Sequence, residues 1–267
     1  MIKINEPLKP HTTFNIGGSA DVLFIPQNLI ELKEMLRLFR KLEWHITILG
    51  NGSNVLITDK GIRGVVIKIC DTFEDVRIEG TNIKAGAGIL IKDLINIAVN
   101  YNLKGLECVA GIPGTLGGCI YMNASYTKEI RHLVKWVKVI DYSGNDYKIL
   151  NSDIKWGYRQ SMFCCKKFII TEVCLQLEHG DCTELLKQYK EKRKRTQPIQ
   201  YPSAGSVFLK NNLKDFQGFK IGDAEVIKSF IVNKGNASSE DVIGLINQIR
   251  DKSNPRPALE IEVLGER

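Results

Sequence analysis

Two runs of small residues carry most of the chemistry this sequence can offer. Gly50-Asn51-Gly52-Ser53-Asn54 directly follows the β-type run ITIL at 46–49, and residues 110–118 read AGIPGTLGG. With so little side chain present, backbone N–H groups in such loops can converge on phosphate oxygens, and Ser53 and Asn54 add donors of their own. Taken singly, each loop reads more simply as a plain turn. Two of them, one after each of two β-α segments, suit a long ligand with a diphosphate in its middle. Neither is the dinucleotide fingerprint: Gly50 and Gly52 are followed by Val55, and Gly86 and Gly88 by Ile91, where a third glycine belongs. Gly-Lys-Ser/Thr is missing as well, so a nucleotide-hydrolysing P-loop is excluded.

Three further clusters hold reactive side chains. In Pro202-Ser203-Ala204-Gly205-Ser206-Val207-Phe208 the Ser206 hydroxyl follows small residues and could approach a ligand closely. No G-x-S-x-G elbow surrounds it, so acyl transfer is disfavoured, whereas proton donation needs no triad. An ordinary serine-rich turn is the commoner meaning of such a string. Gly157-Tyr158-Arg159-Gln160-Ser161 supplies a fixed positive charge with the geometry for a carboxylate, or else a structural ion pair. In Leu259-Glu260-Ile261-Glu262 alternation puts both acids on one strand face, which is either functional or simply solvated.

The elements that must position these residues follow from pattern. Residues 29–42 and 89–100 have apolar positions at helical spacing, and residues 64–69, 134–142 and 168–177 read as strands. Residues 76–85 read as a strand pair around Gly80, and 143–146 as the turn of a hairpin that ends at 150. Composition changes at Cys182, which places a boundary near residue 180. A helix is expected at 183–194, another from the cap Ser238 to about 251, and an alternating strand at 258–265.

The chain has 267 residues, 43% hydrophobic and 25% charged, which excludes disorder and a pure coiled coil. The longest uncharged stretch, 108–127, is rich in glycine and is no membrane span. The amino-terminal residues have no apolar signal core, so a cytoplasmic location is expected. Seven cysteines without a C-x-x-C pair read as reduced thiols, and no metal site is expected. The net charge of +7 suits nucleic acid or an anionic small molecule equally. The basic run KEKRKR at 190–195 reads first as a solvated helix end.

Taken in order, several strings resemble one family, the UDP-N-acetylenolpyruvoylglucosamine reductases. They are HTTFNIGG from His11 to Gly18, LGNGSNVL from Leu49 to Leu56, AGIPGTLGG, and Tyr121-Met122-Asn123-Ala124. Tyr158-Arg159-Gln160-Ser161, Gln197-Pro198, Pro202 to Phe208, Phe230-Ile231-Val232-Asn233 with Gly235-Asn236-Ala237, and Leu259 to Val263 follow. The resemblance covers nearly the whole chain. It implies an α+β protein: a two-subdomain FAD-binding fold of the vanillyl-alcohol-oxidase type at 1–180, its subdomains at about 1–72 and 73–180. A C-terminal α+β substrate-binding domain at 181–267 completes it.

The resemblance further implies FAD on Gly50, Asn51, Gly52, Ser53, Asn54, Val55, Pro113, Gly114, Thr115, Gly117 and Gly118, with NADPH as reductant. Ser206 would protonate the intermediate formed from the enolpyruvyl ether, and Arg159 and Glu262 would stabilise its charge. The expected partners are NADPH and the UDP-sugar, with no nucleic acid, no membrane and a monomeric state. The basic run would then stand beside the phosphates. The sequence departs from the family at Ser125-Tyr126-Thr127 and at Leu209-Lys210-Asn211-Asn212. It also lacks a His-bearing segment within 221–230. Two other readings stand beside this one: a flavin oxidase of small alcohols, and a nucleic-acid binder built on the basic run.

Overall fold

The computed structural model describes residues 1–70, 72–125, 127–209 and 213–266. The chain opens with strands β1 (Ile2–Pro7) and β2 (Ser19–Phe24) and helix α1 (Leu29–Lys41). The Asn28 side chain accepts from the Glu31 N–H to start α1, and Leu32, Leu36 and Phe39 form its buried stripe. Strands β3 (Ile46–Leu49), β4 (Val55–Ile57) and β5 (Ile62–Lys68) follow, then the hairpin of β6 (Val76–Glu79) and β7 (Asn82–Gly86). Next come α2 (Ile91–Asn100), β8 (Leu103–Lys104) and α3 (Leu116–Tyr121). Strands β9 (Val134–Asp141) and β10 (Asp146–Leu150) form a second hairpin, and β11 (Trp156–Gly157) with β12 (Gln160–Ser161) a third. The long strand β13 (Phe168–Gln176), the short β14 (Glu178–His179) and helix α4 (Thr183–Thr196) lead to β15 (Ser203–Ser206). Strands β16 (Lys220–Ile221), β17 (Ala224–Ile227) and β18 (Phe230–Asn233), helix α5 (Ser239–Lys252) and β19 (Glu262–Leu264) complete the chain.

The chain forms two units, each built from separate segments. The first takes Met1, Phe24–Asn51 and Ile67–Glu191; the second takes Ile2–Leu23, Gly52–Val66 and Lys192–Arg267.

In the first unit the main sheet has the order β10-β9-β13-β7-β6, with every neighbouring pair antiparallel. Its central strand β13, FIITEVCLQ, is rich in β-branched residues, and Ile169, Val173 and Leu175 are buried. Helix α1 reaches the β9–β10 turn, where Arg40 donates to Ser143 Oγ at 2.6 Å and Lys33 pairs with Asp146. Phe39 packs edge-on to Phe24 and stacks on Trp44.

In the second unit β15-β18-β17-β16 form one sheet and β19 pairs in parallel with β4. Helix α5 starts in a capping box: Ser238 Oγ accepts from the Asp241 N–H, and Asp241 Oδ2 accepts from the Ser238 N–H. Its buried Val242, Leu245, Ile246 and Ile249 pack with Phe14, Leu56, Val207, Phe208, Val226 and Ile231.

Two sequence expectations need correction. Residues 110–118 are not one open loop, because Thr115 caps α3 and its Oγ1 accepts from the Gly118 N–H at 3.2 Å. Leu116, Gly117 and Gly118 therefore form a first helical turn, which their glycine content hides from pattern reading. The strand expected over 258–265 is broken as well. Leu259 bridges Phe208, and the Glu260 N–H donates to Val207 O; the Glu262 N–H then donates to Asn54 O and β19 continues along β4. The segment changes hydrogen-bonding partners at Ile261.

Several glycines are dictated by packing. A Cβ on Gly88 would overlap the carbonyl oxygens of Thr72 and Ile69, whereas one on Gly80, at φ +60°, would meet nothing. Gly88→Ala is expected to lower stability by about 2 kcal/mol or more in thermal or denaturant unfolding. Gly80→Asn, whose side chain tolerates the left-handed region, is expected to stay within about 0.5 kcal/mol. Equal effects at the two positions would contradict this packing.

Candidate active site

In the first unit the two glycine loops come together through one side chain. Asn51 Nδ2 donates to Pro113 O at 2.6 Å, and the Cys70 thiol donates to Asn51 Oδ1 at 3.6 Å. Gly50 lies so close to the second loop that a Cβ would sit 2.8 Å from Thr115 Oγ1. The second loop is fixed from behind: the Leu116 N–H donates to Ile89 O, the Gly117 N–H to Ala87 O, and Gly114 O accepts from the Ile91 N–H. Among the described residues, the N–H groups of Gly50, Asn51, Gly114 and Thr115 donate to no acceptor. Gly114 and Thr115 are buried residues, so these donors would be expected to have an acceptor. Of the sequence-designated positions in this loop, Pro113 has no N–H, and the N–H groups of Gly117 and Gly118 are already committed.

Arg159 belongs to the same unit. It is the second residue of the two-residue turn between β11 and β12, held at φ +54°, where glycine or asparagine is the cheap choice. Its Nη1 donates to Ser125 O at 2.8 Å and to Ser125 Oγ at 3.2 Å, and its guanidinium lies 5.7 Å from the Tyr158 ring centre. Two residues to which the sequence assigned no role hold this hairpin. Buried Asn123, itself at φ +43°, donates from Nδ2 to Gly157 O at 2.8 Å, and Ser161 Oγ donates to Tyr121 O at 2.7 Å. Both lie inside quoted motifs, and that was the only signal that could have found them. Burial pushes the Cys108 and Cys119 thiols up to about 12, so both stay protonated and supply no nucleophile.

In the second unit Gly52 and Val55 flank Ser53 and Asn54. Gly52 is a glycine for packing: it sits at φ +60°, and a Cβ would overlap His11 O and crowd Thr12. A bulky substitution there would disturb the backbone around residues 11–13 and is therefore a poor probe of ligand access. Val55 pairs with Glu262 in the parallel β4–β19 ladder.

Ser206 ends β15 directly after a bulge. Ser203 pairs with Val232 and Ser206 with Phe230, so three steps along β15 oppose two along β18, with Gly205 at φ +79°. The start of the strand is pinned, since Thr13 Oγ1 donates to Ser203 O at 2.8 Å and the Ser203 N–H donates to Thr13 O at 3.1 Å. The Ser206 hydroxyl itself makes one long contact, to Phe208 O at 3.3 Å. The residues on either side of Ser206 meet the segments that carry Glu262 and Ser53: Val207 O accepts from the Glu260 N–H, and a Cβ on Gly205 would be 3.9 Å from Ser53 O. The departures at Tyr126 and at Lys210, Asn211 and Asn212 lie outside the described residues.

Partial burial of its carboxyl raises Glu262 above its ordinary 4.5, although the residue as a whole is exposed. The folded chain thus holds this proton more tightly than the unfolded one. As pH rises through 4.5 the unfolded state ionises first, and stability falls until the folded carboxyl has also ionised. Glu262→Gln removes that loss. The variant's melting temperature is expected to gain on the parent's as pH rises through 4.5 and above it. A difference that does not change with pH would show that the carboxyl is not perturbed.

Comparison with known proteins places these features in a family. A family model described as FAD binding domain matches residues 20–149, and one described as the C-terminal domain of UDP-N-acetylenolpyruvoylglucosamine reductase matches 197–263. The unengaged N–H groups of Gly50, Asn51, Gly114 and Thr115 fit the acceptor-rich diphosphate of FAD. Cholesterol oxidase from Brevibacterium sterolicum shares the fold alone, at 10% identity and a TM-score of 0.52 over 67% of this chain and 37% of that one. The FAD-binding part is thus of the vanillyl-alcohol-oxidase type. UDP-N-acetylenolpyruvylglucosamine reductase from Thermus caldophilus superposes with a TM-score of 0.83 at 30% identity, covering 99% of this chain and 98% of that one. UDP-N-acetylenolpyruvoylglucosamine reductase from Caldanaerobacter subterraneus subsp. tengcongensis is 39% identical over 284 residues, 99% of this chain and 94% of that protein. With likeness of this extent through both matched domains, the chain belongs to the UDP-N-acetylenolpyruvoylglucosamine reductase family of FAD-dependent oxidoreductases.

Proposed function

We propose that this protein reduces the enolpyruvyl ether of UDP-N-acetylglucosamine to UDP-N-acetylmuramate, with NADPH as the reductant, in the synthesis of peptidoglycan precursors. The observation that carries the reading is the 39% identity to a reductase of that name over nearly the whole chain, with Ser206, Arg159 and Glu262 at their motif positions. We assign substrate binding to residues 181–267, and read the protein as a monomer that acts in the cytoplasm without nucleic acid or membrane.

When bound, FAD supplies two-electron chemistry: it accepts hydride from NADPH and delivers it to the substrate. The N–H groups of Gly50, Asn51, Gly114 and Thr115 would hold its diphosphate, with Gly52, Ser53, Asn54 and Val55 continuing the first loop. Hydride addition to the terminal carbon of the enolpyruvyl group moves an electron pair onto the α-carbon and its carboxylate. The Arg159 guanidinium favours this extra negative charge over the ground state. Ser206 donates its proton to the α-carbon, which completes the lactyl ether, and the serine recovers a proton from solvent. The bulge at Gly205 and the weak contact to Phe208 O leave this hydroxyl free to turn. Glu262 completes the set: in its protonated form, which partial burial favours, it can donate a hydrogen bond to the developing carboxylate charge. The basic run at 190–195, on the last turns of α4, supplies positive charge for phosphate groups.

The two half-reactions separate these roles. Ser206→Ala is expected to bind flavin and be reduced by NADPH as the parent is, and then to reoxidise with substrate about 10²–10⁴-fold more slowly. Ser206→Cys should recover part of that rate. Arg159→Ala should likewise slow only the second half-reaction. An alanine variant at 206 that reoxidises at the parent rate would remove the proton-donor assignment, and Ser203 would be tested next. Loss of NADPH reduction in Arg159→Ala would place that residue in NADPH binding instead.

A further inference from the structure

The hairpin between β17 and β18 turns in only two residues, Lys228 and Ser229, because Ile227 pairs directly with Phe230. Lys228 is held at φ +57°, in the left-handed region where a side chain carries a cost and glycine or asparagine is usual. The lysine side chain is engaged. Its Nζ donates to Arg195 O at 2.6 Å and lies 3.5 Å from Gln197 O, so the ammonium caps the C-terminal end of α4, where positive charge is favoured.

The backbone of the turn is clamped as well, by a single side-chain amide. Gln217 Oε1 accepts from the Lys228 N–H at 2.6 Å, and Gln217 Nε2 donates to Lys228 O at 2.6 Å and to Leu213 O at 2.7 Å. The clamp acts next to the pair that matters for chemistry, because Phe230, two residues on, is the partner of Ser206. At its other end β15 is tied to Thr13, but at Ser206 the bulge has already interrupted the ladder and the hydroxyl has one weak contact. The chain after Ser206 is held by the Glu260 N–H on Val207 O and the Phe208–Leu259 bridge, and on the β18 side the Phe230–Ser206 pair is held by the turn beside it.

We propose that Lys228, together with Gln217, is a positioning residue for Ser206: by fastening the β17–β18 turn to the end of α4, it sets where the proton-donating hydroxyl stands. This rests on the reading of Ser206 as the proton donor.

Lys228→Gly is the informative change, since it removes the ammonium while relieving the left-handed backbone. A merely structural lysine would then be replaced at no loss of melting temperature and no loss of rate. If Lys228 positions Ser206, the glycine variant keeps its melting temperature and its NADPH half-reaction but reoxidises with the UDP enolpyruvyl sugar at least about 10-fold more slowly. Amide hydrogen exchange in residues 203–209 and 229–233 should speed up together in that variant. Lys228→Arg, which can still reach the Arg195 carbonyl, should restore both readouts to within about 2-fold. Lys228→Asn, compatible with the backbone but too short to reach, should behave as the glycine variant and serves if that one folds poorly. Parent-like reoxidation and exchange in Lys228→Gly, with Ser206→Ala slow in parallel, would overturn the positioning role alone. A fast Ser206→Ala would instead remove the reading on which it rests.

Discussion

The hydrogen bond from Asn51 Nδ2 to Pro113 O holds together two loops that are 62 residues apart in sequence, and the candidate FAD cradle of the first unit depends on it. Each loop is short of side chains and could not hold its own conformation by packing. The second is held from behind by its backbone bonds to Ala87, Ile89 and Ile91, and the Asn51 amide ties the first to it, donating to Pro113 O while its oxygen accepts from Cys70. Such a bond contributes only about 1 kcal/mol net. Its weight here is geometric, since it sets the N–H groups of Gly50 and Asn51 beside those of Gly114 and Thr115. The glycines are then consequences of proximity. Gly50 has no space for a Cβ beside Thr115, and Gly117 none beside Ala87.

Asn233 plays the corresponding part in the second unit. It is buried, its Nδ2 reaches the carbonyls of Phe14 and Asn15, and its Oδ1 accepts from the N–H groups of Gly235 and Ala237. Its own N–H donates to Pro202 O, next to the strand that carries Ser206. One satisfied side chain thus joins the amino-terminal motif, the start of β15 and the approach to α5, and removing it would leave several buried groups without partners.

Much of this was legible in the sequence where local chemistry decides structure. The stripe of α1, the Gly80 turn, the β9–β10 hairpin and the Ser238 cap all form as their patterns predict, because period, turn residue and cap each act within a few residues. The small-residue loops were visible as candidate cradles, but which N–H groups remain unengaged was not. That depends on Ile89 O and Ala87 O, more than twenty residues away. For the same reason Gly52 read as room for a ligand when it is room for the His11 carbonyl. Asn123, Ser161 and Lys228 act through bonds to partners distant in sequence or through left-handed backbone, and neither feature leaves a periodic trace.

Single turnover of the unmodified protein with air excluded tests the proposed reduction most directly. NADPH is expected to bleach the yellow flavin absorbance, and addition of the UDP enolpyruvyl sugar to restore it with one equivalent of the lactyl ether formed per flavin. A colourless protein, or a reduced flavin that only oxygen reoxidises, would contradict it.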